Sequence, residues 1–584
     1  MWEFYLKFAP GIMENRPIIY QLLPRLFANT NEHCVPNGTI EQNGVGKMND
    51  ITPKVLKGIK ELGVTHVWYT GVIEHATTTD YSTYGIPASN PYITKGKAGS
   101  PYAIIDYYDI DPDIAVSVPD RMKEFELLVE RTHKEGMKVI IDFVPNHVGR
   151  QYHSDSKPSG IKDFGEDDDR EYFFRPGNDF YYITRQQFSP SINLGSGDNA
   201  YIEFPAKATG NDCFTAFPTE NDWYETVKLN YGVDYGDGSR HFNPIPQLWL
   251  KMLHILRFWA SKGVDGFRCD MAFMVPLEFW EWAIPQVKAQ NKGIIFIAEI
   301  YDIALYRQFI KPGGFDYLYD KVNLYDTLRG IQCDNVSAAQ LTGCWQAVEG
   351  ISSHMLNFIE NHDEQRFASE FYAGNAEYML PSMVIATMIG TGPVMIYAGQ
   401  ELGEPAAEDE GFSGRDGRTT IFDYWSIPSV RRWLNGGKCD GLKLSASERA
   451  LREKYSRILH LCNSEIALRE GGFFDLMYVN YDNPTLDPHR QFVFLRHKNN
   501  ETVFVAVNFG DTGCSLSVNI PHHAFEVLGL PVGECSAEEL LTGEKRWVVL
   551  SEDFPLETEV EAHGAAVWKL VKNPRKKSSK LIQK

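Results

Sequence analysis

From about residue 50 to residue 465 the chain repeats one pattern, a short apolar run and then a longer segment whose apolar residues recur at helical spacing. This restricts the fold more than any other feature. A short, continuous apolar strand must be covered on both faces, and helices between parallel strands provide that cover. THVWYT (Thr65 to Thr70) and KVIIDFV (Lys138 to Val144) have strand composition. Between them Met122, Phe125, Leu128 and Val129 keep helical spacing until Gly136 stops the helix. PQLWLKMLHILRFWASKG precedes VDGFRCD, EFWEWAIPQVKAQ precedes IIFIAE, and AEYMLPSMVIATMIG precedes PVMIYAG. With YQLLPRLF, GFDYLYD and HMLNFIE the candidate strands number eight. Eight such units favour a closed (β/α)8 TIM barrel over an open doubly wound sheet, and no G-x-G-x-x-G or Walker loop follows any strand.

At 584 residues the chain exceeds one compact core. Residues 1–146 and 246–466 are expected to form the barrel. Residues 147–245, dense in Gly, Asp, Asn, Pro and Tyr, are too long for an ordinary βα connection and read as an inserted subdomain after strand 3. Over 467–572 the pattern changes to alternating strands, QFVFLRH, TVFVAVNF, CSLSVNI and AAVWKLV, expected to form a C-terminal antiparallel β-sandwich domain. Residues 573–584, NPRKKSSKLIQK, read as a basic disordered tail.

A formal charge of −20 repels nucleic acid and anionic membranes at long range, so neither is expected as a partner. No apolar run reaches the roughly 18 to 20 residues of a membrane span. The start, MWEFYLKFAPGIMENRP, is broken by charge and proline, which points to a cytoplasmic protein unless a leader was removed. Nine cysteines (Cys34, Cys213, Cys269, Cys333, Cys344, Cys439, Cys462, Cys514 and Cys535) are scattered without a C-x-x-C pair. They suggest small buried hydrophobes, not a disulfide framework or a zinc site.

Within GVDGFRCDMAFMVP, Arg268 and Asp270 share one face of a strand and Phe267 and Cys269 the other. If the apolar pair packs on helices, the charged pair points into the C-terminal mouth of the barrel, where such barrels keep their catalytic groups. A buried ion pair or a helix cap accounts for this motif alone equally well. Two further acids weigh against that bland reading: IIFIAEIYD ends its apolar run in Glu299, and LNFIENHDEQR ends in His362 and Asp363. Acids at three strand ends converge on one pocket, and each is costly to bury without a purpose. Paired carboxylates of opposite protonation suit glycoside hydrolysis. Arg268 is expected to lower the pKa of Asp270, keeping a nucleophile ionised, and the apolar neighbours of Glu299 to raise its pKa, keeping a general acid protonated.

DFVPNH (Asp142 to His147), GFRCD (Gly266 to Asp270), the AE of FIAEIYD and ENHDEQR (Glu360 to Arg366) stand in the order of the four sequence regions of the α-amylase family, glycoside hydrolase family 13. The resemblance covers nearly the whole chain. It implies a retaining α-glucan enzyme in which Asp270 is the nucleophile, Glu299 the acid/base and Asp363 the carboxylate that stabilises the transition state. It further implies that His147 and His362 hydrogen-bond the sugar, that Arg268 orients the nucleophile, and that Tyr102 stacks on the same sugar ring. Arg366 would neutralise the pocket's acids, with a solvated surface role as the alternative, and Asp142 would support the site from behind. No organic cofactor is implied. Many relatives hold calcium between the insertion and the residue matching Asn146; GEDDDRE (Gly165 to Glu171) offers oxygens for it, though a solvated acidic loop is the preferred reading. DGRTTIFDYW (Asp416 to Trp425) resembles a substrate-side loop, and a structural turn packing Phe422 and Trp425 is preferred.

One departure concerns the acceptor side. Where many α-amylases carry lysine and histidine after the nucleophile, this chain has Phe273 and Met274. The expected activity, on the acid set and the motifs, is hydrolysis of α-1,4-glucosidic bonds in starch-derived glucans or malto-oligosaccharides, and the apolar acceptor side keeps other readings open. A 4-α-glucanotransferase or an α-glucosidase is the alternative, and a non-catalytic interaction subunit the lesser one, because such subunits lack part of the acid set. Nothing in the sequence sets the oligomeric state.

Overall fold

The computed structural model describes residues 15–572, so the basic tail expected over 573–584 lies outside the described residues. Each apolar run that the sequence marks as a strand is wholly or almost wholly buried, and eight of them join edge to edge in chain order. We label them β1 (Ile18–Leu22), β2 (His66–Tyr69), β3 (Lys138–Phe143), β4 (Gly266–Cys269), β5 (Ile295–Ala298), β6 (Tyr317–Tyr319), β7 (Met355–Leu356) and β8 (Val394–Tyr397). Every pairing is parallel, β8 returns to β1, and a bridge from Asn357 to Val394 joins β7 to β8. The sheet is the expected barrel. YQLLPRLF is only partly strand: pairing ends at Leu22, and Pro24–Phe27 form a helical turn with Pro24 at its start. Proline has no N–H for a central ladder and fits the first turn of a helix.

The expected helices follow β2, the insertion, β4 and β7, at Arg121–Lys134, Gln247–Ser261, Leu277–Lys288 and Met379–Met388. Met379–Met388 is apolar nearly all round because it lies between the barrel and the C-terminal sheet. Among the described residues, no helix is long and apolar enough to cross a membrane. All nine cysteines are free thiols.

Two excursions rise from the mouth of the barrel. An antiparallel hairpin, Ile73–His75 with Ile104–Ile110, follows β2. The insertion follows β3; in it His147–Gly149 pairs with Thr226–Lys228 and Tyr182–Ile183 with Ala206–Lys207. Ile183, Phe188, Tyr201, Ala206 and Ala216 of the insertion bury one another, together with Ile93 from the loop after β2.

The C-terminal strands are β9 (Gly472–Asp475), β10 (Gln491–Lys498), β11 (Glu501–Asn508), β12 (Cys514–Val518), β13 (Gly533–Glu539), β14 (Lys545–Leu550), β15 (Leu556–Val560) and β16 (Gly564–Lys572). Six form an antiparallel sheet ordered β9-β10-β11-β16-β13-β14, and β12 pairs with β15. Arg496 of β10 is fully buried at the joint with the barrel and donates to the carbonyls of Met388 (2.9 Å) and Gly471 (2.6 Å).

Candidate active site

Strand alternation sets the site. Phe267 and Cys269 pack outward in the core while Arg268 points into the barrel, fully buried. Its guanidinium collects acids from three adjacent strands: Nη1 lies 2.7 Å from Asp270 Oδ1 and 3.5 Å from Asp142 Oδ1, and Nη2 lies 2.6 Å from Glu299 Oε1. Asp142 also accepts a 3.1 Å hydrogen bond from Trp68 Nε1. Its partners thus lie behind Asp270 and Glu299.

Immediately after Asp270 the backbone enters the left-handed region at Met271 (φ 43°), a conformation that disfavours side chains bearing Cβ. The turn aims the Met271 N–H at Glu299 Oε2, 2.8 Å away. Glu299 Oε1 accepts from the Tyr301 hydroxyl at 2.6 Å, and Asp270 and Glu299 are close enough to share a hydrogen bond.

Asp363 enters from the far side of the barrel. Asn361 Oδ1 accepts from the N–H groups of Asp363 (2.9 Å) and Glu364 (3.0 Å), fixing the turn after β7. His362 accepts from Gln21 Nε2 at Nδ1 (2.6 Å), while its Nε2 meets the Tyr102 hydroxyl and lies 3.1 Å from Asp363 Oδ2. The Tyr102 and His362 rings pack 5.5 Å apart. His147 places Nε2 4.0 Å from Asp270 Oδ2 and packs against Trp223.

Asp270, Glu299, Asp363, Tyr102 and His147 line one cavity of about 250 Å³ at this mouth. Arg268 and His362 lie just behind it. Arg366 is elsewhere: fully buried, it pairs with Glu360 (3.1 Å) and donates to Thr419 Oγ1 (2.9 Å) and the Ala398 carbonyl (3.0 Å). It is not solvated, and the acid it neutralises is Glu360.

Lys95, Trp223, Glu225, Tyr301 and Phe422 also line the cavity, and none was singled out for it by the sequence. Lys95 Nζ sits 3.2 Å from Glu225 Oε1 and over the Phe422 ring. The segment DGRTTIFDYW divides between its two readings: Trp425 is buried as in a structural turn, and Phe422 faces the cavity.

Burial dominates the electrostatics. It pushes Asp270 above the ordinary carboxylate range, and Arg268 pulls it back only in part, so the expected net lowering is not found. Glu299 is likewise raised, by burial with Asp270 adding to it, against the pull of Arg268, Tyr301 and the Met271 N–H. Burial and then the Glu299 carboxylate raise Asp363 well above its ordinary value, though about a third of its side chain still faces the cavity. All three acids are thus shifted in the direction that favours their protonated forms. His147 is pushed down to about 3 by burial and then by Lys228, and His362 well below its usual value by burial and then by Arg268. Both are neutral donors or acceptors at neutral pH.

The calcium position beside Asn146 does not fit a metal ion. Lys228 Nζ already occupies its oxygens: it donates to Asn146 Oδ1, pairs with Asp212 Oδ1 at 2.6 Å and reaches the Met274 carbonyl at 3.2 Å. In GEDDDRE, Asp168 accepts the N–H groups of Asp179 (2.7 Å) and Phe180 (3.0 Å) and braces its own loop.

The family described as "Alpha amylase, catalytic domain" matches residues 21–423. Neopullulanase 2 of Thermoactinomyces vulgaris is 23% identical over 406 residues, covering 67% of this chain and 57% of that protein. A cyclomaltodextrinase from Bacillus sp is 20% identical over 542 residues, covering 89% of this chain and 78% of that one. Among solved structures, the maltogenic α-amylase AmyB of Thermotoga neapolitana aligns with a TM-score of 0.59 at 20% identity, over 95% of this chain and 99% of that one. Matched along most of its length and carrying its acids at the mouth of the same barrel, this chain belongs to the α-amylase family of glycoside hydrolases.

Proposed function

We propose that the protein hydrolyses α-1,4-glucosidic bonds of malto-oligosaccharides or starch-derived glucans with retention of configuration. One observation carries the reading: Asp270 and Glu299, at the ends of adjacent strands, both reach the one guanidinium of Arg268, at 2.7 and 2.6 Å. An inverting pair stands roughly 6.5 to 9.5 Å apart to admit a water, whereas a retaining pair is closer. In the first step Asp270 attacks the anomeric carbon as Glu299 gives its proton to the leaving oxygen. In the second, Glu299 takes a proton from water, which displaces Asp270 from the sugar. Asp363 and His147, which line the cavity, face the same sugar, and Tyr102 offers it an aromatic platform.

Product configuration tests this directly. The first maltose or glucose released, followed by NMR, is expected to be the α-anomer; initial release of the β-anomer sinks the retaining assignment. Asp270→Asn is expected to lose at least about a thousandfold in kcat. Glu299→Gln is expected to lose far more on malto-oligosaccharides than on activated aryl glucosides. Equal losses on both substrates remove Glu299 as the acid.

A second reading, transfer to another sugar, draws on the acceptor side. Met271, Trp223, Tyr301 and Phe422 give the cavity an apolar wall, and Phe273 packs against Tyr301 with ring centres 6.0 Å apart. Aromatic walls favour the apolar faces of a glucose acceptor over water. Maltotriose digests containing chains longer than three units would establish transfer; their absence leaves hydrolysis.

A further inference from the structure

Four acids meet where the hairpin that follows β2 packs on the first loop of the insertion. Glu74, Asp106, Asp109 and Asp155 each bring one carboxylate oxygen within 4.8 Å of the other three. Glu74 and Asp106 face each other across the hairpin, Asp109 is three residues further on, and Asp155 comes from the first loop of the insertion. Three of the four are buried: Glu74 is 1%, Asp106 0% and Asp109 4% exposed.

Their hydrogen bonds differ in kind. Asp106 accepts from the Tyr108 N–H (2.7 Å), Ser154 Oγ (2.6 Å) and the N–H groups of Asp155 (3.0 Å) and Ser156 (3.1 Å). Asp109 accepts from the Ile110 N–H (2.7 Å) and Ser156 Oγ and pairs with Arg121. Glu74 Oε2 is buried and has no hydrogen-bond partner. An unmatched carboxylate in the interior is strongly disfavoured, and three like charges around it add to the penalty. Arg121, the cation beside them, pairs with Asp109 and relieves Glu74 only in part.

We propose that Glu74, Asp106, Asp109 and Asp155 bind one calcium ion that ties the first loop of the insertion to the hairpin following β2. The chemistry is that of a hard cation with oxygen ligands, and four carboxylate oxygens within 4.8 Å of one another can share one such ion. Calcium accepts an irregular set of carboxylates drawn from a hairpin and a loop, whereas magnesium demands a near-ideal octahedron and keeps several of its waters. The site is separate from the lysine-filled cage beside Asn146. Its effect reaches the catalytic cavity because Tyr102 lies two residues before the strand Ile104–Ile110 that carries Asp106 and Asp109.

The full-length protein, stripped with a chelator and dialysed in parallel against calcium chloride, magnesium chloride or an equimolar mixture of the two, tests the proposal. Wild type is expected to retain about one calcium per chain by elemental analysis, and its Tm to rise with calcium concentration. Asp155→Asn, at an exposed position that folding tolerates, is expected to weaken calcium binding at least about tenfold. Glu74→Gln is expected to lose saturable binding and, in chelator, to melt at or above the wild-type temperature, because it removes the unmatched acid. Three results would overturn the site: no saturable calcium and no Tm response in wild type at millimolar calcium, undiminished binding by both variants, or preferential uptake of magnesium.

Discussion

Arg268 holds Asp270, Asp142 and Glu299 on one planar fork, a task a single ammonium cannot share out. Arg268→Lys is expected to lower kcat at least about a hundredfold and to destabilise the fold by about 3 to 5 kcal/mol, because buried acids lose their partner; kinetics and chemical denaturation read the two effects separately. Tyr301 acts on Glu299 through a 2.6 Å hydrogen bond that lowers the pKa of the acid. Tyr301→Phe removes that pull, so the Glu299 pKa rises and the alkaline limb of the kcat/KM profile is expected to move to higher pH. A profile that keeps its shape would make Tyr301 a packing residue only. At this scale the sequence was informative where position along a strand decides the side chain's direction. Asp270, Glu299 and Asp363 each follow an apolar run, and the run itself aims them inward. Tyr301 and Phe422 sit on loops, where no periodicity fixes direction, and Trp223 belongs to an insertion whose path depends on contacts remote in sequence. The sign for Asp270 went wrong for a related reason: one neighbouring cation is visible in a strand motif, and the depth of burial that outweighs it is not.

Among the elements, the joint between insertion and barrel rests on Lys228. Its ammonium is buried and bridges the loop after β3 at Asn146, the insertion at Asp212 and the loop after β4 at Met274. Lys228→Met keeps the apolar stem and removes the charge, leaving three oxygens without their donor. The expected loss is about 2 to 4 kcal/mol, with faster proteolytic cutting between residues 150 and 240 than in the rest of the chain. Uniform cutting along the chain would show that the joint does not depend on this ammonium. The insertion itself was legible from its length and composition, because no ordinary βα loop runs to such a length. Its anchor was not, since a lysine in a three-residue strand carries no mark of burial. The C-terminal strands divide in the same way. β10, β11, β12 and β16 carry the alternating or continuous apolar signal, whereas β14, KRWVVL, leaves Trp547 and Val549 exposed and so breaks the pattern by which strands are recognised.

Across the whole molecule, acid sensitivity follows from histidines locked in the interior. His66, at the start of β2, is pushed down to about 3 by burial and then by Lys138. It stays neutral in the fold, while the unfolded chain takes up the proton below about 6.5. Stability contributed by keeping it neutral is therefore lost as pH falls from about 6.5 towards 3, by up to about 1.4 kcal/mol per pH unit for one proton. His66→Gln is expected to flatten that slope in denaturant titrations; an unchanged slope would exclude His66 as a source. The barrel as a whole was the most legible level, since eight repetitions of one signal outvote any single ambiguous segment. The rim of its mouth was the least legible. There Lys95 joins Glu225 of the insertion and lies over Phe422 from the loop after β8, so segments far apart in sequence close one side of the cavity. A wall on one side favours glucans that enter by a free end. At equal weight of glucan, initial rates are then expected to fall as amylose chains lengthen, and rates that follow weight alone would show that internal segments reach the acids.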